Sequence, residues 1–249
     1  MEAKGQKKIL LSDAHQKENL DIARYLLKEG HLLALLSKES QIVNDFVEGL
    51  GPEYKHNCFV EYLDHYKEES ITEAVDSITD KLKGLDILIN GLPGGANEAD
   101  LLESLPASFG RDIVSDFNEV FLLNREIVRH MIREKAGNIM FLLIDDVLDF
   151  ADYPVSPIHN HGRLAMMKSM AKELTPFNIR VNSLTFGIHN RGFSPSEKRE
   201  MRRKLEFCAL KPPIPAWEDL LPALDALIYP SFNYMTGQNY PACIGTSNT

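Results

Sequence analysis

The sequence predicts a three-layer α/β fold, in which one doubly wound parallel sheet lies between two layers of helices. Short apolar runs alternate with helix-period segments along most of the 249 residues. The runs are continuously apolar, which indicates strands buried on both faces and therefore a parallel sheet. With a hydrophobic content of 44% and no linker or internal repeat, the chain is expected to form a single domain over residues 1–249.

The first half of the chain supplies four strands and three helices of this pattern. The runs KKILLS, HLLALLS, NCFVEYL and LDILIN are short and apolar, as buried strands are. Between them, apolar residues recur every three or four positions, which predicts helices near residues 20–29, 40–51 and 70–83. The alternation of strand and helix is the order that a parallel sheet requires.

The second half continues with longer elements. A helix is predicted near residues 113–135, followed by the strands GNIMFLLI and IRVNSLTFG. Between these strands, a helix opens with Pro157, a residue that suits the first helical position. Its apolar face consists of Leu164, Met167, Met170, Ala171 and Leu174. Ligands of such sheets bind at the carboxyl ends of the strands, and residues 188–215, rich in proline and charge, are predicted to form a lid-like insertion there.

Composition argues against several classes of partner. A net charge of −9 and a pI near 5.4 disfavour nucleic acid and anionic membranes, because both require basic patches. Three widely spaced cysteines in no metal-binding pattern favour a reducing compartment. Since the sequence has neither an apolar stretch of about 20 residues nor a signal-peptide pattern, a cytoplasmic protein is expected.

Several segments of the chain resemble the short-chain dehydrogenase/reductase family, and in particular its 3-oxoacyl-[acyl-carrier-protein] reductases. They are LDILIN followed by Gly91, AGNIMFLLI, SMAKELTPFNIRVNSLTFG and YMTGQNY, and the resemblance extends over nearly the whole chain. The most specific part is AKELTPFNIRVNS, whose spacing to Gly187 is that of the family. The resemblance implies a Rossmann-type fold and, in the family, hydride transfer with an NAD(P) cofactor.

The phosphate-binding turn departs from the family pattern. In the family, glycines after the first strand let the backbone approach the cofactor pyrophosphate. Here the turn reads SDAHQKENL, and the glycine positions fall on or near Asp13, Lys17 and Asn19. A carboxylate at Asp13 would repel phosphate, and Lys17 offsets this only in part. No cofactor is therefore expected in the usual pose.

Other cofactor contacts implied by the resemblance are partly retained. Asn90 and Gly91 match part of the family's Asn-Asn-Ala-Gly loop, and Gly187 matches the glycine after the sixth strand. After the second strand, Ser37 and Lys38 stand where an acidic residue would favour NAD. Any surviving preference is therefore for NADP(H).

The four catalytic positions implied by the resemblance are all changed. In the family, a Tyr is the general acid, with its pKa lowered by a nearby Lys, and a Ser holds the substrate carbonyl beside a catalytic Asn. Alignment on AKEL places Ser156, or Pro157 if one gap is allowed, at the Tyr position and Asn160 at the Lys position. The Ser position falls on Leu143 or Ile144, and the Asn position falls on Asp116. Hydride transfer by this mechanism is therefore predicted to be lost.

Polar residues stand near the ends of the fifth and sixth strands. The architecture is expected to bring several of them to one cleft. These candidate cleft residues are Asp145, Asp146, His159, His161, His189 and Asn190. Imidazole and carboxylate groups can form an acid/base pair, recognise a ligand or bind a divalent metal, but they are also common in surface loops and helix caps. No metal site is assigned to them. Tyr153 is a further candidate for the lost Tyr, although Pro157 stands where its lysine partner would be needed.

These observations predict a pseudoenzyme that has lost NAD(P)-dependent hydride transfer and acts as a non-catalytic subunit or a ligand-binding protein. The expected partners are further copies of the chain in a dimer or tetramer, an active homologue, or a small acyl-type ligand. The resemblance implies that the long helix, the helix after it and the segment GQNYPACIG form interfaces. The alternative is an NAD(P)H-dependent oxidoreductase of the keto/acyl reductase type, or a changed acid/base chemistry in the same cleft.

Overall fold

One parallel sheet of seven strands forms the centre of the molecule. A computed structural model describes residues 5–63, 68–94, 106–146, 155–190, 192–206, 210–230, 234–243 and 245. The strands are β1 (Lys8–Leu11), β2 (Leu32–Ser37), β3 (Cys58–Tyr62), β4 (Ile87–Asn90), β5 (Gly137–Ile144), β6 (Ile179–Phe186) and β7 (Asn239–Ala242). They lie in the order β3-β2-β1-β4-β5-β6-β7, and each neighbouring pair is parallel.

Helices connect the strands and cover the sheet. They are α1 (Lys17–Lys28), α2 (Ser40–Glu48), α3 (Pro52–Lys55), α4 (Glu68–Leu82), α5 (Pro106–Glu134), α6 (Pro157–Leu174), α7 (Pro195–Leu205), α8 (Trp217–Leu220) and α9 (Ala223–Ile228). The predicted three-layer doubly wound fold is therefore confirmed. None of the helices in the described ranges is both long enough and apolar enough to cross a membrane.

The two faces of the sheet carry separate cores. Along β1, Ile9 and Leu11 belong to the core that includes residues of α1, whereas Leu10 belongs to the core beneath α4, α5 and α6. All three side chains are fully buried. Burial on both faces explains why the strands are continuous apolar runs in the sequence.

The direction of sheet growth reverses at β1. From β1 the chain proceeds outward through β2 to β3, and it then returns to place β4 on the other side of β1, with Leu10 opposite Leu88. At such a reversal, the loops that follow the two central strands part and leave a crevice at their carboxyl ends. The fold thus places the expected binding crevice between the turn after β1 and the loop after β4.

Helix boundaries differ from the sequence prediction in two places. The helix predicted over residues 40–51 ends earlier, at Glu48 with Gly49 as its C-cap, and a separate helix, α3, begins at Pro52 after Gly51. Helix α5 begins at Pro106, several residues before the apolar periodicity becomes evident. Proline is favoured in the first turn of a helix because it has no N–H to donate there, which explains both starts.

Helix α6 begins as its sequence predicts. Ser156 is the N-cap residue, and its side chain accepts a hydrogen bond from the main-chain nitrogen of His159 at 3.3 Å. Pro157 occupies the first turn. The serine thus satisfies one of the main-chain donors that a helix start leaves without a helical partner.

The lid-like insertion predicted over residues 188–215 contains α7. Ser194 and Glu197 form a reciprocal capping box at the start of this helix. At its end, Leu205 is fully buried and packs in one small core with Val155 and Ile188. The helix is thereby anchored close to the carboxyl ends of β5 and β6, where a lid would need to lie.

Strand β7 was not predicted from the sequence. Its four residues, NYPA, are partly exposed and include Pro241, which lies opposite Thr185 of β6. The main-chain nitrogen of Gly187 donates to the carbonyl of Ala242 at 3.2 Å and continues the pairing. Proline is tolerated because β7 is an edge strand.

Candidate functional site

The turn after β1 keeps the backbone shape of a glycine turn but not its glycines. Asp13 has a φ of 54°, in the left-handed region that glycine adopts without strain. The side chain of Asn19 is fully buried, and its Nδ2 donates to the carbonyl oxygens of Asp13 at 2.9 Å and Leu92 at 3.0 Å. Its Oδ1 accepts from the main-chain nitrogen of Leu92 at 2.9 Å. An asparagine amide therefore joins the two loops that border the crevice.

The loop after β4 approaches this turn very closely. A Cβ added to Gly91 would overlap the main-chain oxygen of Ser12 and the side chain of Asn19. Asn90 is fully buried and exchanges side-chain hydrogen bonds with Asn124 of α5, at 2.7 and 3.2 Å. The retained Asn90 and Gly91 thus have structural roles at the base of the crevice.

A buried arginine links the crevice to α5 and α6, the helices on which family catalytic positions fall. Arg163 of α6 is fully buried, and its Nη1 donates to the carbonyl of Gly91 at 2.6 Å. Its Nη2 lies 3.8 Å from Oδ2 of Asp13 and 3.5 Å from Oδ1 of Asp116. Two carboxylates therefore compensate the charge of a guanidinium that is removed from water.

Sequence reasoning missed Arg163, although the sequence carries a signal for it. Positions 163, 167, 171 and 174 recur at helical spacing, and Met167, Ala171 and Leu174 are all buried on this face. A charged residue at the same helical spacing as buried apolar residues is predicted to be buried too, and its charge then requires partners of opposite charge. Those partners, Asp13 and Asp116, come from distant parts of the sequence, so only the fold identifies them.

His159 belongs to the packing between α5 and α6. Its Nε2 lies 3.6 Å from Oδ2 of Asp116, and its Nδ1 lies 2.8 Å from Oγ of Ser156. Its ring stacks on Phe117 with the centroids 5.7 Å apart. Phe117 also covers Gly162, where an added Cβ would overlap the ring. His159 thus lies in the same buried cluster as Arg163 and Asp116.

Asn160, at the position of the family's lysine, is turned toward the end of β5. Its side chain is buried, and Nδ2 donates to the carbonyl oxygen of Ile144 at 2.5 Å and to Oδ1 of Asp146. The other carboxylate oxygen of Asp146 lies 2.9 Å from Nε2 of His161. Asp146 and His161 are therefore brought together as a pair, with Asn160 fixing the carboxylate.

The residues after β6 face a different environment. His189 is buried, with Nδ1 3.2 Å from the carbonyl of Gly187 and its ring centroid 4.5 Å from that of Trp217. Trp217 in turn contacts the ring of Phe186 edge-on at 4.8 Å. Oδ1 of Asn190 accepts from the main-chain nitrogen of Phe193 at 2.9 Å and shapes the start of the insertion.

The expected convergence of all these polar residues on one cleft is only partly observed. The structure joins Asp146 to His161, and His159 to the cluster of Arg163, but it packs His189 against an aromatic residue. Asp145 is buried at the end of β5. Tyr153 lies outside the described residues. Within the part of the chain that the structure describes, no group of three or more His, Cys, Asp or Glu residues is placed to hold a metal ion.

Gly187 is required by a close contact with the end of the sheet. A Cβ at this position would lie 2.6 Å from Cβ of Cys243, just after β7. Contacts this short do not occur between unstrained side chains. The glycine therefore has a packing role at the end of the sheet.

Comparisons with known proteins agree with the fold. A family model described as enoyl-(acyl carrier protein) reductase matches residues 20–247. The 3-oxoacyl-[acyl-carrier-protein] reductase of Buchnera aphidicola subsp. Acyrthosiphon pisum is 27% identical over 194 residues, which cover 74% of each chain. The (-)-trans-carveol dehydrogenase of Rhodococcus erythropolis is 27% identical over 246 residues, which cover 92% of this chain and 87% of that one.

Solved structures show the same architecture at lower sequence identity. An NAD+-bound xylitol dehydrogenase matches with a TM-score of 0.76 and 20% identity, covering 96% of this chain and 98% of its own. A short chain dehydrogenase from Bacillus anthracis matches with a TM-score of 0.76 and 19% identity, covering 96% of each chain.

Proposed function

The chain belongs to the short-chain dehydrogenase/reductase family of oxidoreductases, and we propose that it is a member that acts by binding and not by hydride transfer through a tyrosine and a lysine. The observation that carries this proposal is the environment of Asn160, whose amide donates to the carbonyl of Ile144 and to Asp146. A neutral amide cannot supply the ammonium charge that lowers the pKa of a catalytic tyrosine. Ser156, at the tyrosine position, caps α6 instead.

The residues of the phosphate-binding turn do not fit a dinucleotide in the family's usual pose. Asn19 fills, with its side chain, the space between the turn and the loop after β4. The Asp13 carboxylate lies at the same turn, and two like charges about 4 Å apart repel by about 1 kcal/mol in water and by more in a sheltered crevice. Asp13 is instead matched with a cation of the protein itself, Arg163.

The surface of α5 and α6 supports a binding role toward another protein chain. Val114 and Phe121 are 67% and 51% exposed, and since they lie seven residues apart they share one face of α5. Ile158, at the start of the neighbouring α6, is 38% exposed. Exposed large apolar residues on adjacent helices favour an interface. We infer that this face meets a second copy of the chain or an active homologue.

Titration with nicotinamide cofactors tests the proposal. The purified protein is titrated with NADPH and NADH by nicotinamide fluorescence and by calorimetry, and it is then assayed for reduction of an acetoacetyl thioester. We expect neither binding at millimolar cofactor nor turnover, while an active 3-oxoacyl-[acyl-carrier-protein] reductase serves as the positive control. Turnover by the lone protein with NADPH would overturn the proposal.

The second candidate function is an NAD(P)H-dependent oxidoreductase of the keto/acyl reductase type. The names of the relatives favour it, because those reported above are dehydrogenases or reductases, and they give more direct support to this candidate than to a loss of activity. In such an enzyme the acid/base group would have to be a new one, and the pair of Asp146 and His161 is the best placed. His161→Ala would then abolish turnover while the melting temperature stays unchanged, whereas retained turnover would remove His161 from this candidate.

A further inference from the structure

A cavity of about 510 Å³ lies at the carboxyl end of β5, beside α6. Positions 160, 161, 164, 165 and 168 line it and share one face of the helix, whereas Arg163 projects from another face. The opposite wall is formed by residues 237–239, before and at the start of β7. This volume falls within the range of small-molecule sites, which is roughly 300–1,000 Å³.

The cavity has an apolar floor and a polar mouth. Leu143 is fully buried and Ile144 and Leu164 are half-buried, and all three line the floor. Lys168 and His161 are exposed on α6 at the mouth. A ligand that fills this space would need an apolar body and one polar end.

Two acceptor side chains of the cavity are already occupied by protein donors. Asp146 accepts from Asn160 and pairs with His161 at 2.9 Å. Oδ1 of Asn239 accepts from the hydroxyls of Ser183 and Thr185, both at 2.8 Å. The amide NH₂ of Asn239 therefore remains as a donor for a ligand.

Lys168 adds a charged donor at the mouth of the cavity. No carboxylate among the described residues forms an ion pair with Lys168, whereas Asp146 accepts a hydrogen bond from Asn160 and lies 2.9 Å from Nε2 of His161. The other acidic residue of the cavity, Asp145, is buried and has a partner of its own. A ligand group that carries negative charge and accepts several hydrogen bonds would complement this mouth.

We propose that the cavity binds a small carboxylic acid with an apolar body. Lys168 and the amide NH₂ of Asn239 bind the carboxylate at the mouth, and the apolar body packs on Leu143, Ile144 and Leu164. This proposal rests on the proposed function, in which the chain acts by binding. It extends that function by naming the class of ligand. The site is separate from the turn after β1, so it does not depend on whether a cofactor binds there.

Calorimetric titration of the full chain with hexanoate tests the site. Hexan-1-ol, which has the same apolar body without the charge, is the comparison ligand. We expect hexanoate to bind more tightly than hexan-1-ol, and Lys168→Met to weaken hexanoate binding by about tenfold, because a charge-assisted contact is lost. Lys28→Met removes an exposed lysine of α1 and serves as the matched control, with unchanged affinity expected.

The outcomes separate this site from the proposed function. Absence of hexanoate binding at millimolar concentrations, equal affinity for hexan-1-ol, or unchanged affinity in Lys168→Met would each overturn the carboxylate site. None of these results bears on cofactor binding. Conversely, turnover with NADPH in a protein that also binds hexanoate through Lys168 would overturn the loss of hydride transfer and leave the carboxylate site standing.

Discussion

The guanidinium of Arg163 lies 3.8 Å from the carboxylate of Asp13, so a buried ion pair joins α6 to the turn after β1. A second carboxylate, Asp116 of α5, lies 3.5 Å from the same guanidinium. Protein side chains thus bridge the turn after β1 and the two helices that follow β4 and β5.

Removal of the bridging cation should destabilise the fold. Arg163→Met leaves Asp13 and Asp116 without their shared counter-charge, and we expect the free energy of unfolding to fall by about 3 kcal/mol, as is typical when one partner of a buried ion pair is removed. Urea denaturation measures the change. Arg133→Met, at an exposed position in the last turn of α5, is the control and should change stability by less than about 0.5 kcal/mol. A comparable effect of both variants would contradict the bridging role.

The turn after β1 and the loop after β4 approach so closely that they leave no room for a side chain at Gly91. Gly91→Ala should lower the free energy of unfolding by about 2 kcal/mol, because the new methyl group would overlap the main-chain oxygen of Ser12 and force the loops apart. Thermal unfolding followed by circular dichroism is a suitable measurement. Gly5→Ala is the matched control, since nothing lies within 4 Å of a Cβ at that position. A melting temperature equal to that of the wild type would show that the loops can separate freely.

The exposed apolar face of α5 should control assembly. Phe121→Arg places a charge on this face, and we expect it to lower the mass in solution to that of a smaller assembly or a monomer, because charge is disfavoured in the core of an interface. Light scattering after size exclusion measures the mass. Leu210→Arg, at a residue that is 88% exposed and outside α5 and α6, is the control. An unchanged mass in Phe121→Arg would exclude this face as the interface.

The contribution of Glu197 to the stability of the fold should be lost at acid pH. The side chain and the backbone of Ser194 both hydrogen-bond to Glu197 and lower the pKa of its carboxyl group. A lowered pKa in the folded state stabilises the fold above the pKa of the unfolded state, about 4.3, and this contribution disappears as the pH falls through the lower folded value. We therefore expect Glu197→Gln to melt below the wild type at pH 7, with the difference shrinking as the pH falls below about 4.3. A difference that stays constant over this range would contradict the assignment.

The fold could be predicted from the sequence because its signals are local. Continuous apolar runs predicted six of the seven strands, and Pro157 marked the start of α6. Strand β7 escaped prediction because NYPA carries neither an apolar run nor alternation, and it is held only by its pairing with β6. Tertiary pairing of this kind leaves little trace in a short segment.

The candidate site could be predicted only in part because side-chain direction depends on helix geometry. His159 and His161 are two residues apart, but a helix turns by about 100° per residue, so they meet different carboxylates, Asp116 and Asp146. The sequence alone placed both in one cleft. It also could not show that Asn160 reaches the end of β5, because that contact depends on how α6 packs against the sheet.

Strand β7 limits the ways in which molecules of this protein can associate. The carbonyls of Gln238 and Ala242 accept hydrogen bonds from Ser183 and Gly187, so the main-chain groups of the alternate residue Pro241 point outward, away from β6. Pro241 has no N–H to offer there, and the edge therefore lacks the donor that an incoming strand would need to extend the sheet. Copies of this chain cannot join into a continuous ribbon by regular strand pairing past Pro241. Any contact between copies of the chain at this position has to be made by side chains.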